Sequence, residues 1–170
     1  MSVKDQLVKE FERRVFDESY SRIFKCLTMI EDKDLWRSPQ GNIPPIGCLV
    51  LHLAGNARQW ILAALGNKPD NRVRDEEFMH HANIRKADLI FLLQNLRVQL
   101  AECLNEMEED SVTRSYKIQG FNETGFSAIV HVIEHFSYHT GQITTLTKMI
   151  TNKETGYYAD FNLNQLNNLN

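Results

Sequence analysis

The sequence predicts an all-α protein, a four-helix bundle, and three observations carry that prediction. Four separate segments repeat their apolar residues at spacings of three and four, the signature of one buried stripe per helix. Polar stretches rich in proline, glycine or asparagine separate them, and such residues interrupt helices. The length of 170 residues suits one domain with one core.

The first helix is expected from about Ser2 to Glu31. Ser2 followed by Asp5 resembles a capping arrangement, and Phe16, Tyr20, Ile23, Leu27 and Ile30 form one apolar stripe. A connector from Asp32 to Pro45 follows, holding Pro39, Gly41, Pro44 and Pro45. The second helix is expected to start near Pro45, a residue tolerated in a first turn, and to stop at Gly66 in a left-handed conformation. A polar loop then runs from about Asn67 to Ile84.

The third helix is expected over about Arg85 to Glu109, with Leu89, Leu92, Leu93, Leu96, Leu100 and Leu104 as its apolar stripe. Thr113 to Ile118 alternates loosely and reads as extended. Thr124 is placed to cap a fourth helix over about Gly125 to Ile150. This gives one helical domain over residues 1–156 and an asparagine-rich tail over residues 157–170. The tail carries Phe161, Leu163, Leu166 and Leu169, and its pattern is compatible with packing on the same chain or on a second subunit.

Apolar content of 42% and charged content of 24% are ordinary for a folded soluble domain. A net charge of -3 gives no electrostatic reason to expect a nucleic acid or an anionic membrane as partner. No apolar run approaches the roughly 18–20 residues of a membrane span. The first residues lack the basic-then-apolar layout of a signal peptide. Cys26, Cys48 and Cys103 are widely spaced and odd in number, a poor disulfide framework. A cytoplasmic location is therefore expected.

The histidines are unevenly placed. His131, His135 and His139 fall four residues apart on the fourth helix, His52 lies midway along the second, and His80 and His81 sit in the polar loop. Imidazoles at i and i+4 project from one helical face, close enough to share an ion. Bundle interiors commonly build metal sites from side chains on facing helices. His52 is the only other histidine expected inside a helix, and it shares its face with Cys48, Asn56, Gln59 and Ala63. That mixture suits the wall of a polar pocket.

Periodicity chooses between the two pairs on the fourth helix. At about 100° per residue, His139 lies about 60° from the apolar centre, His135 about 100° and His131 about 140°. His135 and His139 are therefore the expected ligands with His52, and His131 is turned outward or toward the rim. Three neutral imidazoles suit zinc or nickel, with iron and copper also accommodated, and leave coordination positions open. Gln59, Asn56, Gln142 and His131 are candidates for positioning substrate.

The run His131-Val132-Ile133-Glu134-His135 also matches the H-x-x-E-H signature of inverted zinc metallopeptidases. The same angular reading turns His131 and Glu134 away from the core. Only Glu154 and Asp160 remain downstream as acidic ligands.

Two stretches carry a resemblance. The run Pro45-Ile46-Gly47-Cys48-Leu49-Val50-Leu51-His52-Leu53-Ala54-Gly55-Asn56 is followed about 80 residues later by His135-Phe136-Ser137-Tyr138-His139-Thr140-Gly141-Gln142-Ile143. Together they resemble the DinB/YfiT-like superfamily over nearly the whole chain. The resemblance implies an up-down-down-up bundle, a divalent metal held by His52, His135 and His139, and a homodimer. Some relatives are transferases or isomerases that use low-molecular-weight thiols such as bacillithiol or mycothiol, and others are classed only as metal-dependent hydrolases. The extra His131 is a feature of an uncharacterised branch.

Two functions follow as expectations. One is a metal-dependent enzyme that activates water or a thiol against a small-molecule substrate, of hydrolase or thiol S-transferase type. The other is a non-catalytic, metal-stabilised bundle that binds a small molecule or a protein partner.

Overall fold

The computed structural model describes residues 1–38 and 40–166. Pro39 of the connector and Leu169 of the tail lie outside the described residues. Four long helices dominate. Helix α1 is continuous through Val3–Phe11, Glu12–Tyr20 and Ser21–Met29, and widens into π-helical turns over the middle stretch. Helix α2 runs through Ile46–Ala57 and Arg58–Ala63, again ending in π-helical turns. Helix α3 spans Lys86–Glu106 and helix α4 spans Gly125–Thr151.

The helix boundaries follow local chemistry. Ser2 and Asp5 close a reciprocal capping box on α1, and Thr124 with Ser127 does the same for α4. Pro45 occupies the cap of α2, where no backbone donor is missed. Asn152 ends α4 in the left-handed region, a conformation asparagine tolerates.

The expected stop at Gly66 is corrected. The left-handed residue beyond α2 is Asn67, with φ 51°. Gly66 is required for closeness instead. A Cβ there would stand 2.6 Å from Cys103 Sγ on α3 and 2.8 Å from the Leu62 carbonyl.

All four helices feed one core. Phe11, Ile23 and Leu27 of α1, Leu53 and Ile61 of α2, Leu93, Leu96 and Leu100 of α3, and Ile129, Val132 and Phe136 of α4 are all fully buried. Burying each such side chain is worth about 1.5–3 kcal/mol. Tyr20 of α1 meets Phe136 of α4 with ring centroids 5.5 Å apart.

Two parts of the chain differ from an all-helical reading. Ser115–Ile118 is strand β1, as the alternation suggested, but it pairs antiparallel with a second strand β2, Phe121–Thr124. Gln119 and Gly120 form the two-residue turn, both with positive φ, as such hairpins require. The polar loop is also more ordered than its composition implies. It holds a 3-10 turn at Arg74–Phe78, and Trp36 donates its indole N–H to the Ile84 carbonyl at 2.8 Å.

At the other end, Tyr157 packs on the helices of its own chain. Its hydroxyl lies 3.0 Å from Cys26 Sγ and 2.9 Å from Thr144 Oγ1. No helix among the described residues is long and apolar enough to cross a membrane.

Candidate metal centre

Helices α2 and α4 pass each other in opposite directions. His52 faces His135 and His139, while Asn56 and Trp60, further along α2, face His131, one turn earlier on α4. Ring centroids are 4.8 Å apart for His52 and His135, 5.0 Å for His52 and His139, and 4.4 Å for His135 and His139. One ring nitrogen from each of the three lies within 4.8 Å of the others. His52 is buried, and the two α4 histidines are half-buried.

Hydrogen bonds turn two of these rings. His52 Nδ1 meets Glu77 Oε2 at 2.8 Å, and His139 Nδ1 meets Gln142 Oε1 at 2.6 Å. Both partners accept, so each Nδ1 carries the hydrogen and each Nε2 keeps a free lone pair. His135 Nε2 is buried with no hydrogen-bond partner among the described residues. A buried polar atom without a partner costs about 1–3 kcal/mol, and a bound cation would remove that cost.

The residues therefore fit a divalent ion. Three imidazoles, one from α2 and two from α4, each bring one ring nitrogen to the same place.

The electrostatics favour neutral rings at His135 and His139. Burial, with the neighbouring His139, His52 and His131, holds the His135 imidazole down to about 3. Burial also lowers His139, against a raising hydrogen bond from Gln142. All neutral imidazoles are metal-competent near pH 7, since a protonated ring has no lone pair to give.

Behind His52 sits a charge pair that sequence reasoning missed. Arg72 grips Glu77 through both oxygens, with Nε to Oε1 at 2.7 Å and Nη2 to Oε2 at 2.9 Å. Arg72 Nη1 also donates to Gln59 Oε1 at 2.9 Å, and Gln59 Nε2 donates to Asp70 Oδ2 at 2.7 Å. Burial works to raise the Glu77 carboxyl, but the bonds from His52 and Arg72 and the Arg72 charge outweigh it and hold it below its ordinary value. Both residues lie in the loop read as simply polar.

Two exposed aromatic rings adjoin the histidines. Phe78 leans on His52 at 5.0 Å and Tyr138 meets His139 edge to face at 4.9 Å, both rings remaining partly exposed.

Other candidates stand apart. Of the two positions the angular reading allows His131, outward or toward the rim, it takes the rim. It is half-buried, stacked on Trp60, and 3.1 Å from Asn56 Nδ2. Burial lowers its pKa too. It does not join the converging nitrogens, and Glu134 is exposed. Cys48 points its thiol at the Met79 carbonyl, 3.6 Å away. His80 and His81 pack edge-on against Trp36. Of the proposed positioning groups, Gln142 and Asn56 are held by histidines and Gln59 by Arg72 and Asp70.

Known structures share this fold. A conserved protein from Enterococcus faecalis matches with TM-score 0.70 at 16% identity, covering 90% of this chain and 99% of its own. A DinB-like protein from Bacillus cereus ATCC 10987 matches with TM-score 0.65 at 17% identity, covering 83% and 91%. A mutant of a mycothiol-dependent maleylpyruvate isomerase matches with TM-score 0.64 at 15% identity, covering 84% of this chain and 63% of that one. No curated protein sequence matches. The fold is thus one shared with a DinB-like protein, and, with its match running over residues 5–157, the chain belongs to the family described as Protein of unknown function (DUF1572).

Proposed function

We propose that this protein is a metal-dependent enzyme whose divalent ion is held by His52, His135 and His139. The observation that carries the reading is the convergence of one ring nitrogen from each of three histidines, beside a buried His135 Nε2 that has no hydrogen-bond partner among the described residues. An ion held by three imidazoles keeps a position open and can lower the pKa of water or of a thiol, supplying a nucleophile near neutral pH.

The chain's own residues would do the rest. Glu77 and Gln142 fix the planes of His52 and His139. Phe78 and Tyr138 offer apolar faces at the mouth, where the uncharged part of a small substrate packs and water is displaced. The reading favours a hydrolase or a thiol S-transferase, and the fold shared with a mycothiol-dependent isomerase supports a low-molecular-weight thiol as co-substrate. Zinc or nickel is the first choice of ion, with iron or copper next. The same reading includes an up-down-down-up arrangement of the four helices, a homodimer and a cytoplasmic location.

A second reading, a metal-stabilised module without catalysis, requires a closed site. Free positions on a three-nitrogen centre argue against it. The test is elemental analysis of untagged protein, then assay of the ion-loaded protein against esters, amides and electrophiles with added thiols. Turnover that disappears in His135→Ala supports the enzyme. An ion bound at one per chain with no turnover across the panel would move the protein to the second reading.

A further inference from the structure

We infer that Glu77 and Arg72 form a positioning clamp that holds His52 ready for its ion, seated on Gly55, and that ion binding and docking of the loop carrying the clamp are therefore coupled. The inference rests on the reading of the three imidazoles as ligands.

The clamp is built on one stripe of α2. His52, Gly55 and Gln59 recur at i, i+3 and i+7, so they share a face. Each is met by the loop. His52 receives Glu77, Gln59 receives Arg72, and Gly55 lies directly under the pair. A Cβ at Gly55 would fall 1.9 Å from Glu77 Oε1 and 3.1 Å from Arg72 Nε, so a side chain there would displace the carboxylate. Only glycine lets the loop approach this closely.

The chemistry of the clamp selects one form of the ring. A neutral imidazole carries its hydrogen on either nitrogen, and an acceptor at Nδ1 decides which. Glu77 Oε2 supplies that acceptor at 2.8 Å, the shorter of the two contacts at Nδ1; the competing donor, Arg72 Nη2, stands further off at 3.3 Å and also donates to Oε2. Nε2 is thereby left bare, on a ring whose centroid lies 4.8 Å from that of His135 and 5.0 Å from that of His139. The side chains of His52, Glu77 and Arg72 keep 8%, 10% and 5% of their exposure, so the pair is screened little by water. Buried like this, Glu77 needs Arg72, since an unpaired buried carboxylate would draw a proton and cease to fix the ring.

The clamp rides on the loop between α2 and α3, whereas His135 and His139 belong to α4. Full assembly thus requires the loop to be docked. Linkage makes the effect mutual: whatever docking adds to ion affinity, the ion returns to docking.

The test begins without metal. In EDTA-treated protein labelled with 15N-histidine, long-range proton–nitrogen spectra should show His52 protonated on Nδ1 and bare on Nε2. Glu77→Ala should abolish that preference, and Glu77→Gln, which keeps an acceptor oxygen, should restore it. Zn2+ affinity by chelator competition should fall about 10- to 100-fold in Glu77→Ala and in Gly55→Ala. Added Zn2+ should slow amide hydrogen exchange in residues 72–78 of the wild type. An unaltered His52 tautomer in Glu77→Ala would overturn the clamp, whatever the ion does, as would unchanged Zn2+ affinity in that variant. A folded wild type with the expected tautomer but no Zn2+ binding would instead sink the three-histidine reading and the coupling with it.

Discussion

Trp60 and His131 lie face to face, their ring centroids 3.6 Å apart and their planes 16° from parallel. The contact spans α2 and α4 one turn beyond the candidate metal centre, and it assigns His131 to the wall rather than to the ligands. His131→Ala should cost about 1–3 kcal/mol, from the lost stack and the hydrogen bond of Asn56. Ion content should remain at the wild-type level. Urea unfolding and elemental analysis of the same sample check both halves. Loss of the ion would reinstate the H-x-x-E-H motif as the metal motif.

His135→Ala should behave in the opposite way. Its Nε2 has no hydrogen-bond partner among the described residues. The wild type should therefore gain stability when metal is added, by about 2.7 kcal/mol at a hundredfold excess over Kd. The variant should gain almost nothing. Melting curves of both proteins, with EDTA and with Zn2+, give the four values needed.

Acid should destabilise the metal-free protein in a defined window. The His135 imidazole is held near 3 against an ordinary 6.5, and burial lowers His139 and His131 as well. Unfolded chains take up protons on these rings as pH drops below about 6.5, while the folded state resists until close to the depressed value. Stability is kept above about 6.5 and lost progressively as pH falls toward about 3. Melts in EDTA from about pH 8 down to about pH 4 should show a falling midpoint. In His135→Ala that slope should be shallower.

Tyr157 should anchor the start of the tail. Its hydroxyl sits between Cys26 and Thr144, and burial, with Cys26 adjoining, pushes its pKa up to about 12. Tyr157→Phe leaves those two groups short of a partner, at a cost of about 1–2 kcal/mol. Urea unfolding at neutral pH checks it, and an unchanged midpoint would mean the contact contributes nothing.

The four helices were legible because each carries its own apolar stripe, as Leu89, Leu93, Leu96, Leu100 and Leu104 show on α3. The pairing of His135 with His139 was legible for the same reason. What stayed open or hidden involved partners far along the chain. The angles on α4 left His131 between solvent and the rim, and Trp60 and Asn56 of α2, which cover that flank, put it at the rim. Glu77 and Arg72 looked like solvated charges because neither could be buried alone. Each is buried only with the other, over a glycine whose purpose no local pattern reveals. The second strand lacked clear alternation, and the usable signal was the Gln119-Gly120 turn.

The wide turns at the end of α2 have a consequence for how the chain can change length. In Arg58–Ala63 the Ala64 N–H reaches back five residues to the Gln59 carbonyl, at 3.2 Å. A turn closed that way accommodates one residue more than regular pitch. One residue gained or lost within these last turns can be taken up there, by loosening or tightening a coil, while His52 and Gly55 upstream keep their places on the helix. The stretch acts as slack between the ligand-bearing part of α2 and the start of the loop that carries Arg72 and Glu77.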